Sequence, residues 1–132
     1  MEKILSIEEV HTNTRCFNAE SGFKVTTDKQ VITLMIDSYQ QCCETWGYFF
    51  CNDDTQDFIG SALYEVSITD TALNTEIFNV EVEGHDQERR VMFVNLQTSK
   101  GTLQFVAYNA HNGYYGHHAS VKAQQLTHKD HL

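Results

Sequence analysis

Two apolar-rich runs, Arg89 to Gln97 and Thr102 to Tyr108, stand on either side of the polar tetrapeptide Thr98-Ser99-Lys100-Gly101. That arrangement leaves a chain few options. Both runs have strand length, and a short turn ending in glycine returns the second against the first as a β-hairpin. The pattern recurs upstream. Val25-Thr26-Thr27 and Val31 to Asp37 are β-branched segments separated by Asp28-Lys29-Gln30, and the second is so continuously apolar that it fits a central strand or one covered on both faces. Ala62 to Thr69 alternates, with Tyr64, Val66 and Ile68 expected inward. Ile77 to Glu83 alternates as well, which predicts a strand with Phe78, Val80 and Val82 on one face and Glu81 and Glu83 on the other. Ala119 to Leu126 reads as a last strand or a short helix.

These segments predict an α+β fold that is mainly β: a single compact domain with a mostly antiparallel sheet of about six to eight strands and little helix. A chain of 132 residues builds one hydrophobic core and is short for two, and it contains no proline to break any segment. Residues 1–22, where only Ile4, Ile7 and Val10 suggest a period, are expected to form an irregular or helical lead-in; residues 23–126 form the β-rich core, and 127–132 a frayed polar tail containing His128 and His131. The aromatic stretch from Thr45 to Cys51, with the one tryptophan, reads as a cluster beside the core or as an anchor for a partner. No apolar run approaches the roughly 18 residues of a spanning helix, and the first residues lack a secretory pattern. The expected location is cytoplasmic, with Cys16, Cys42, Cys43 and Cys51 reduced.

The residues that carry chemistry lie in two stretches. One is Gln41-Cys42-Cys43-Glu44, just beyond the strand ending at Asp37; the other is Asn109 to His118, which contains His111, His117 and His118 and follows the strand ending near Tyr108. Thiolate and imidazole together are the set that zinc prefers. If the two strands finish at one edge of the sheet, Cys42, Cys43, His111 and His117 can close a tetrahedral site, with Cys51 and His118 in reserve. Gly113 and Gly116 suit the sharp return from His111 to His117, Tyr114 and Tyr115 would exclude water, and Glu44 and Asn112 could orient a ligating ring. Adjacent residues of an extended strand face opposite ways, so Cys42 and Cys43 can share an ion only where the chain turns. The competing reading makes the cysteines core packing and the histidines a polar loop. A closed site of this kind holds one structural zinc ion, which contributes folding energy and leaves no coordination position for water.

Charge and motif argue against catalysis. The chain has 9 basic and 18 acidic residues, a formal charge of -9. Such a surface repels a phosphate backbone and favours a basic partner, of which nucleic-acid-handling proteins are the commonest. There is no His-Glu-x-x-His, and a proline-free chain cannot supply the Pro-Cys-x-x-Cys of a zinc deaminase. His111-Asn112 and His117-His118 loosely suggest a metal nuclease, which the charge disfavours. A Cys43 nucleophile beside His117 is better explained by a shared metal.

Gln41-Cys42-Cys43-Glu44, Gly47-Tyr48-Phe49, Phe58-Ile59-Gly60 and Asn109-Ala110-His111-Asn112-Gly113-Tyr114-Tyr115-Gly116-His117 resemble a family of small phage and prophage proteins, over residues 24 to 125. The chain is also similar to metal-binding type II anti-CRISPR inhibitors that act on Cas9. That resemblance implies a compact, mostly β domain in a bacterial host cell, a metal at the cysteine pair and the histidine loop, and inhibition by direct protein binding that blocks DNA targeting. Cas9 holds nucleic acid in basic channels, so the acidic side chains Asp53, Asp54, Asp57, Glu81 and Glu83 are the expected contact surface. The alternatives are a phage accessory metal protein with another host or virion partner and, less favoured, a metal-dependent hydrolase.

Overall fold

The computed structural model describes residues 2–12, 19–38, 46–52, 54–81, 89–110 and 116–132. The hairpin that dominates the sequence is its longest ladder. Strands β6 (Arg89–Thr98) and β7 (Gly101–Ala110) pair antiparallel from Arg89↔Ala110 to Thr98↔Gly101. The turn is held by Thr98 Oγ1, which donates to the Gly101 carbonyl at 2.7 Å and accepts from the Lys100 amide at 3.1 Å. Gly101 has φ +114°, a conformation side chains disfavour, so glycine belongs there. Strands β2 (Glu20–Thr27) and β3 (Val31–Asp37) form the second expected hairpin, with the Thr27 hydroxyl accepting from the amides of Lys29 and Gln30.

Among the described residues nine strands, more than the six to eight expected, form one sheet in the order β4-β7-β6-β5-β1-β2-β3-β8-β9. The remaining members are β1 (Glu2–Thr12), β4 (Trp46–Phe50), β5 (Ala62–Thr69), β8 (His118–Lys122) and β9 (Thr127–His131). Every pairing is antiparallel. The sheet has a corner: β1 and β5 pair only at Glu2↔Leu63 and Lys3↔Ala62 and then diverge. Beyond it, the half β4-β7-β6-β5 packs on the half β1-β2-β3-β8-β9, and their strands cross. Along β4, Tyr48 meets Glu9 of β1 and Phe23 of β2, while Trp46 meets His117, which precedes β8. Along β7, Phe105 meets Phe23 and Asn109 meets Leu132 after β9. The core lies between the halves and joins Ile4, Val25, Ile32, Leu34 and Ile36 to Met92, Leu96, Leu103 and Phe105. As expected, β3 is central and strongly buried. Among the described residues no helix is long and apolar enough to cross a membrane.

Four expectations are corrected. The first is the lead-in: residues 2–12 form a strand, because a register shift between Ile4 and Ser6 leaves Leu5 exposed and brings Ile4 and Ile7, three apart, onto the same buried face. A bulge thus imitates a helical period. The second is β5, where another shift between Leu63 and Glu65 turns Leu63 and Val66 inward and leaves Tyr64 exposed; Ile68, two residues beyond Val66 near the end of the strand, is exposed as well. The third is the strand expected over 77–83. The chain instead forms helix α1 (Thr75–Glu81), with Asn74 Oδ1 accepting from the amides of Glu76 and Ile77. Asparagine at the N-cap followed by a glutamate in the first turn favours a helix, and one buried aromatic, Phe78, anchors it against Phe49 and Phe93. The fourth is the polar tail: Thr127–His131 is β9, and Leu132 is buried with its amide and carbonyl both bonded to His117. Its strand signal is weak because β9 is an edge strand whose backbone pairing, not side-chain burial, secures it.

Candidate metal centre

His117 lies where the crossing halves meet. It is 2% exposed and held from three directions. Its backbone amide and carbonyl pair with those of Leu132 at 3.1 and 2.7 Å, its ring stacks on Trp46 with centroids 5.1 Å apart and planes 28° apart, and its Nδ1 is 2.6 Å from the Asp37 carbonyl oxygen. A carbonyl only accepts, so Nδ1 carries the proton in this contact. Fixing the tautomer through a backbone carbonyl is how proteins orient a metal-ligating imidazole.

Asp37 organises both neighbouring histidines. Its backbone takes the His117 proton, and its carboxylate Oδ2 accepts from the His118 amide at 2.9 Å and lies 3.3 Å from His118 Nδ1. Successive residues of an extended chain face opposite ways, so the His118 ring is outside. There it stacks on its cross-strand partner His131, centroids 4.6 Å apart. The ring of His131 in turn lies against Gly116, where an added Cβ would strike its Nε2.

Of the expected ligands, Cys42, Cys43 and His111 lie outside the described residues, as do Glu44, Asn112, Tyr114 and Tyr115. The described chain on either side of them is informative. The segment with both cysteines leaves from Ser38 and returns at Trp46; the segment with His111 leaves from Ala110 and returns at Gly116. All four ends are gathered at His117: Asp37 through its carbonyl, Trp46 through its ring and its pairing with Asn109, Asn109 through its side-chain bond to the Leu132 carbonyl, and Gly116 by covalent linkage. Strands β3 and β7 do finish at one corner.

The reserves separate. His118 is beside His117 but faces outward. Cys51 is buried at the far end of β4, five residues beyond Trp46, or about 17 Å along an extended strand. Its Sγ donates to the Asn74 carbonyl at 3.1 Å and accepts from the Asn74 amide at 3.3 Å, so it joins β4 to the helix cap. Among the described residues no group of three or more His, Cys, Asp and Glu side chains stands ready to hold an ion.

Of the acidic positions expected to meet a partner, Asp54 and Asp57 are exposed, the former capping a 3-10 turn, Thr55–Phe58, by accepting from the Gln56 amide. Glu81 ends α1, and Asp53 and Glu83 lie outside the described residues. Near the same corner, Tyr48 donates to Glu9 Oε2 at 2.6 Å. Burial, and then the Glu9 hydrogen bond and charge, hold its phenol well above the ordinary range, against a smaller opposing effect of Ser21. Sequence reasoning missed Asp37, Trp46, Leu132 and His131 as organisers. The lone tryptophan opening a strand was the available signal; Asp37 reaches His117 across 80 residues, and Leu132 and His131 reach their partners through the pairing of β8 with β9, whose strand signal is weak.

Fold and corner together define a mostly antiparallel β domain whose crossed halves enclose an oriented histidine. The chain belongs to the family described as Domain of unknown function (DUF7448), which matches residues 2–121. No curated protein and no solved structure matches it.

Proposed function

We propose that this protein is a non-catalytic, acidic binding domain of the bacterial cytoplasm, closed by one structural zinc ion and directed at a basic, nucleic-acid-handling protein. The observation that supports the metal is that Asp37 and Trp46 contact the His117 ring, Asn109 bonds the Leu132 carbonyl that pairs with the His117 amide, and Gly116 precedes it in the chain, so the segment with both cysteines and the segment with His111 both border this histidine. Segments bearing Cys42, Cys43 and His111 begin and end at that corner, so these residues and His117 are the ligands of choice. Zinc there would tie the two halves of the sheet together, supplying folding energy rather than a reaction centre. A histidine serving only to pack Trp46 is the alternative, and stoichiometric metal analysis separates the two. Zinc at one equivalent, lost together in Cys43→Ser and His117→Ala proteins, supports the site; no zinc in the wild-type protein rejects it.

The partner reading rests on charge. At -9 the domain is attracted to basic surfaces and repelled by nucleic acid itself. Resemblance to the phage inhibitors makes Cas9 the partner to try first. A pull-down with Cas9 and guide RNA, followed by DNA loading and cleavage assays, tests it. Complex formation with loss of DNA binding supports the reading, and full cleavage at excess protein with no complex rejects Cas9. Turnover of a nucleic-acid or peptide substrate, abolished by chelation without unfolding, would replace the binding reading with a hydrolase.

A further inference from the structure

Strand β5 stops early. Its last pair with β6 is Thr69↔Phe93, whereas β6 continues pairing with β7 back to Arg89↔Ala110. Over residues 89–92 the β5 side of β6 therefore has no strand partner among the described residues. Alternate residues of a strand turn their N–H and C=O toward each side, so among the described residues this stretch has backbone groups that no strand pairs on that side. The chain leaving β5 turns away and α1 crosses the outer face, so a groove of about 1000 Å³ opens beside that edge. Ile68, Ala72, Phe78, Val91, Met92 and Phe93 supply its apolar lining, and Ile68 is 39% exposed. Two carboxylates line it as well: Asp70, just past β5, and Asp130, brought over by the crossing half of the sheet. No lysine or arginine is among the described lining residues; Arg90 is exposed on the same strand outside it.

We infer that this groove is a docking site for an extended, cationic segment of the partner, which adds a short strand to the free edge of β6. Backbone pairing supplies affinity, an aliphatic side chain of the segment covers Ile68 and Val91, and lysine or arginine on either side of it meets Asp70 and Asp130. A second copy of this chain is a poor occupant, because two bodies each carrying -9 repel. The groove shares no residue with the metal corner, and it differs from the acidic positions that sequence alone suggested. The inference rests on the reading of the protein as a binder of basic partners and adds the surface and the form of the ligand.

The probe is a blocked heptapeptide of alternating lysine and valine, titrated into the full-length, isotope-labelled protein and followed by amide chemical shifts, with a glutamate-for-lysine peptide as control. Shifts confined to residues 68–72, 91–93 and 130, weakening of about tenfold or more in the double variant Asp70→Asn, Asp130→Asn, and no binding of the control support the site. Asp70 is exposed and Asp130 half-buried, and both substitutions keep side-chain volume; Ile68→Lys, at an exposed position, provides an independent loss of binding. Equal binding of the glutamate peptide, shifts centred elsewhere, no effect of either variant, or no binding at millimolar peptide overturns it. So does sedimentation showing a dimer that Ile68→Lys dissociates, which would make the occupant a second copy. A captured basic partner unaffected by these variants would refute the groove and leave the functional reading standing; a saturable cationic peptide site with no basic partner in the host would do the reverse.

Discussion

Replacing His117 by alanine separates the two contributions that meet at that ring, packing and metal. The packing part can be worked out from the structure. Removing the imidazole leaves the Asp37 carbonyl, 2.6 Å from Nδ1, without its donor, which costs about 1 to 3 kcal/mol. Loss of the stack on Trp46 adds about 0.5 to 1.5 kcal/mol. His117→Ala without metal is therefore expected to be less stable than metal-free wild type by about 3 kcal/mol, roughly 10 to 18 °C in melting temperature for a domain of this size. Zinc adds a second difference, since a ligand bound only to the folded state stabilises it by about 2.7 kcal/mol at one hundred times its dissociation constant. Melting followed by circular dichroism, on wild type and variant with excess zinc and with chelator, gives four curves. The wild type should gain from zinc and the variant should not. Identical wild-type curves in zinc and chelator would refute the metal argument, and a variant within about 1 kcal/mol of metal-free wild type would refute the packing argument.

Other substitutions test the fold. Gly22→Ala should abolish folding or cost more than about 3 kcal/mol in urea denaturation, because its Cβ would overlap the Leu34 carbonyl on the central strand β3, where backbone cannot yield cheaply. Asn74→Ala should cost about 1 kcal/mol by removing the acceptor for the Glu76 and Ile77 amides; an unchanged urea midpoint would mean that α1 is held by Phe78 alone. Tyr48 gives a pH signature. Its folded phenol titrates above the ordinary value of about 10, so the stability it contributes is complete below that pH and declines as pH rises beyond it toward the folded value. Tyr48→Phe should flatten that alkaline decline, and a wild-type stability independent of pH above about 10 would contradict the Glu9 contact as drawn.

The segments read correctly from sequence were those whose side-chain pattern and turn chemistry agree locally. The β6–β7 and β2–β3 hairpins needed only apolar runs and a turn whose threonine and following residues close it. Misreadings occurred where one extra residue changed the period, as at Leu5 and Tyr64, or where a single cap decided between strand and helix, as at Asn74. In both cases the deciding contact is backbone geometry, to which hydropathy patterns are blind.

The metal corner divides in the same way. Residue type and spacing alone marked Cys42, Cys43, His111 and His117 as candidate ligands and set the net charge of -9, because donor chemistry and net charge are properties of side chains whatever the fold. Only strand pairing together with the crossing of the two sheet halves decided which neighbours His117 receives. Pairing of β8 with β3 and β9 turned the ring's Nδ1 to Asp37, set Leu132 along its backbone and stacked His118 on His131. Cys51 falls at the far end of β4, and the crossing of the halves placed Trp46 over the His117 ring. The crossing also brought Asp130 over the free edge of β6. The contacts of His117 with Asp37 and Trp46 join strands far apart in the chain, and no local stretch of sequence contains that information.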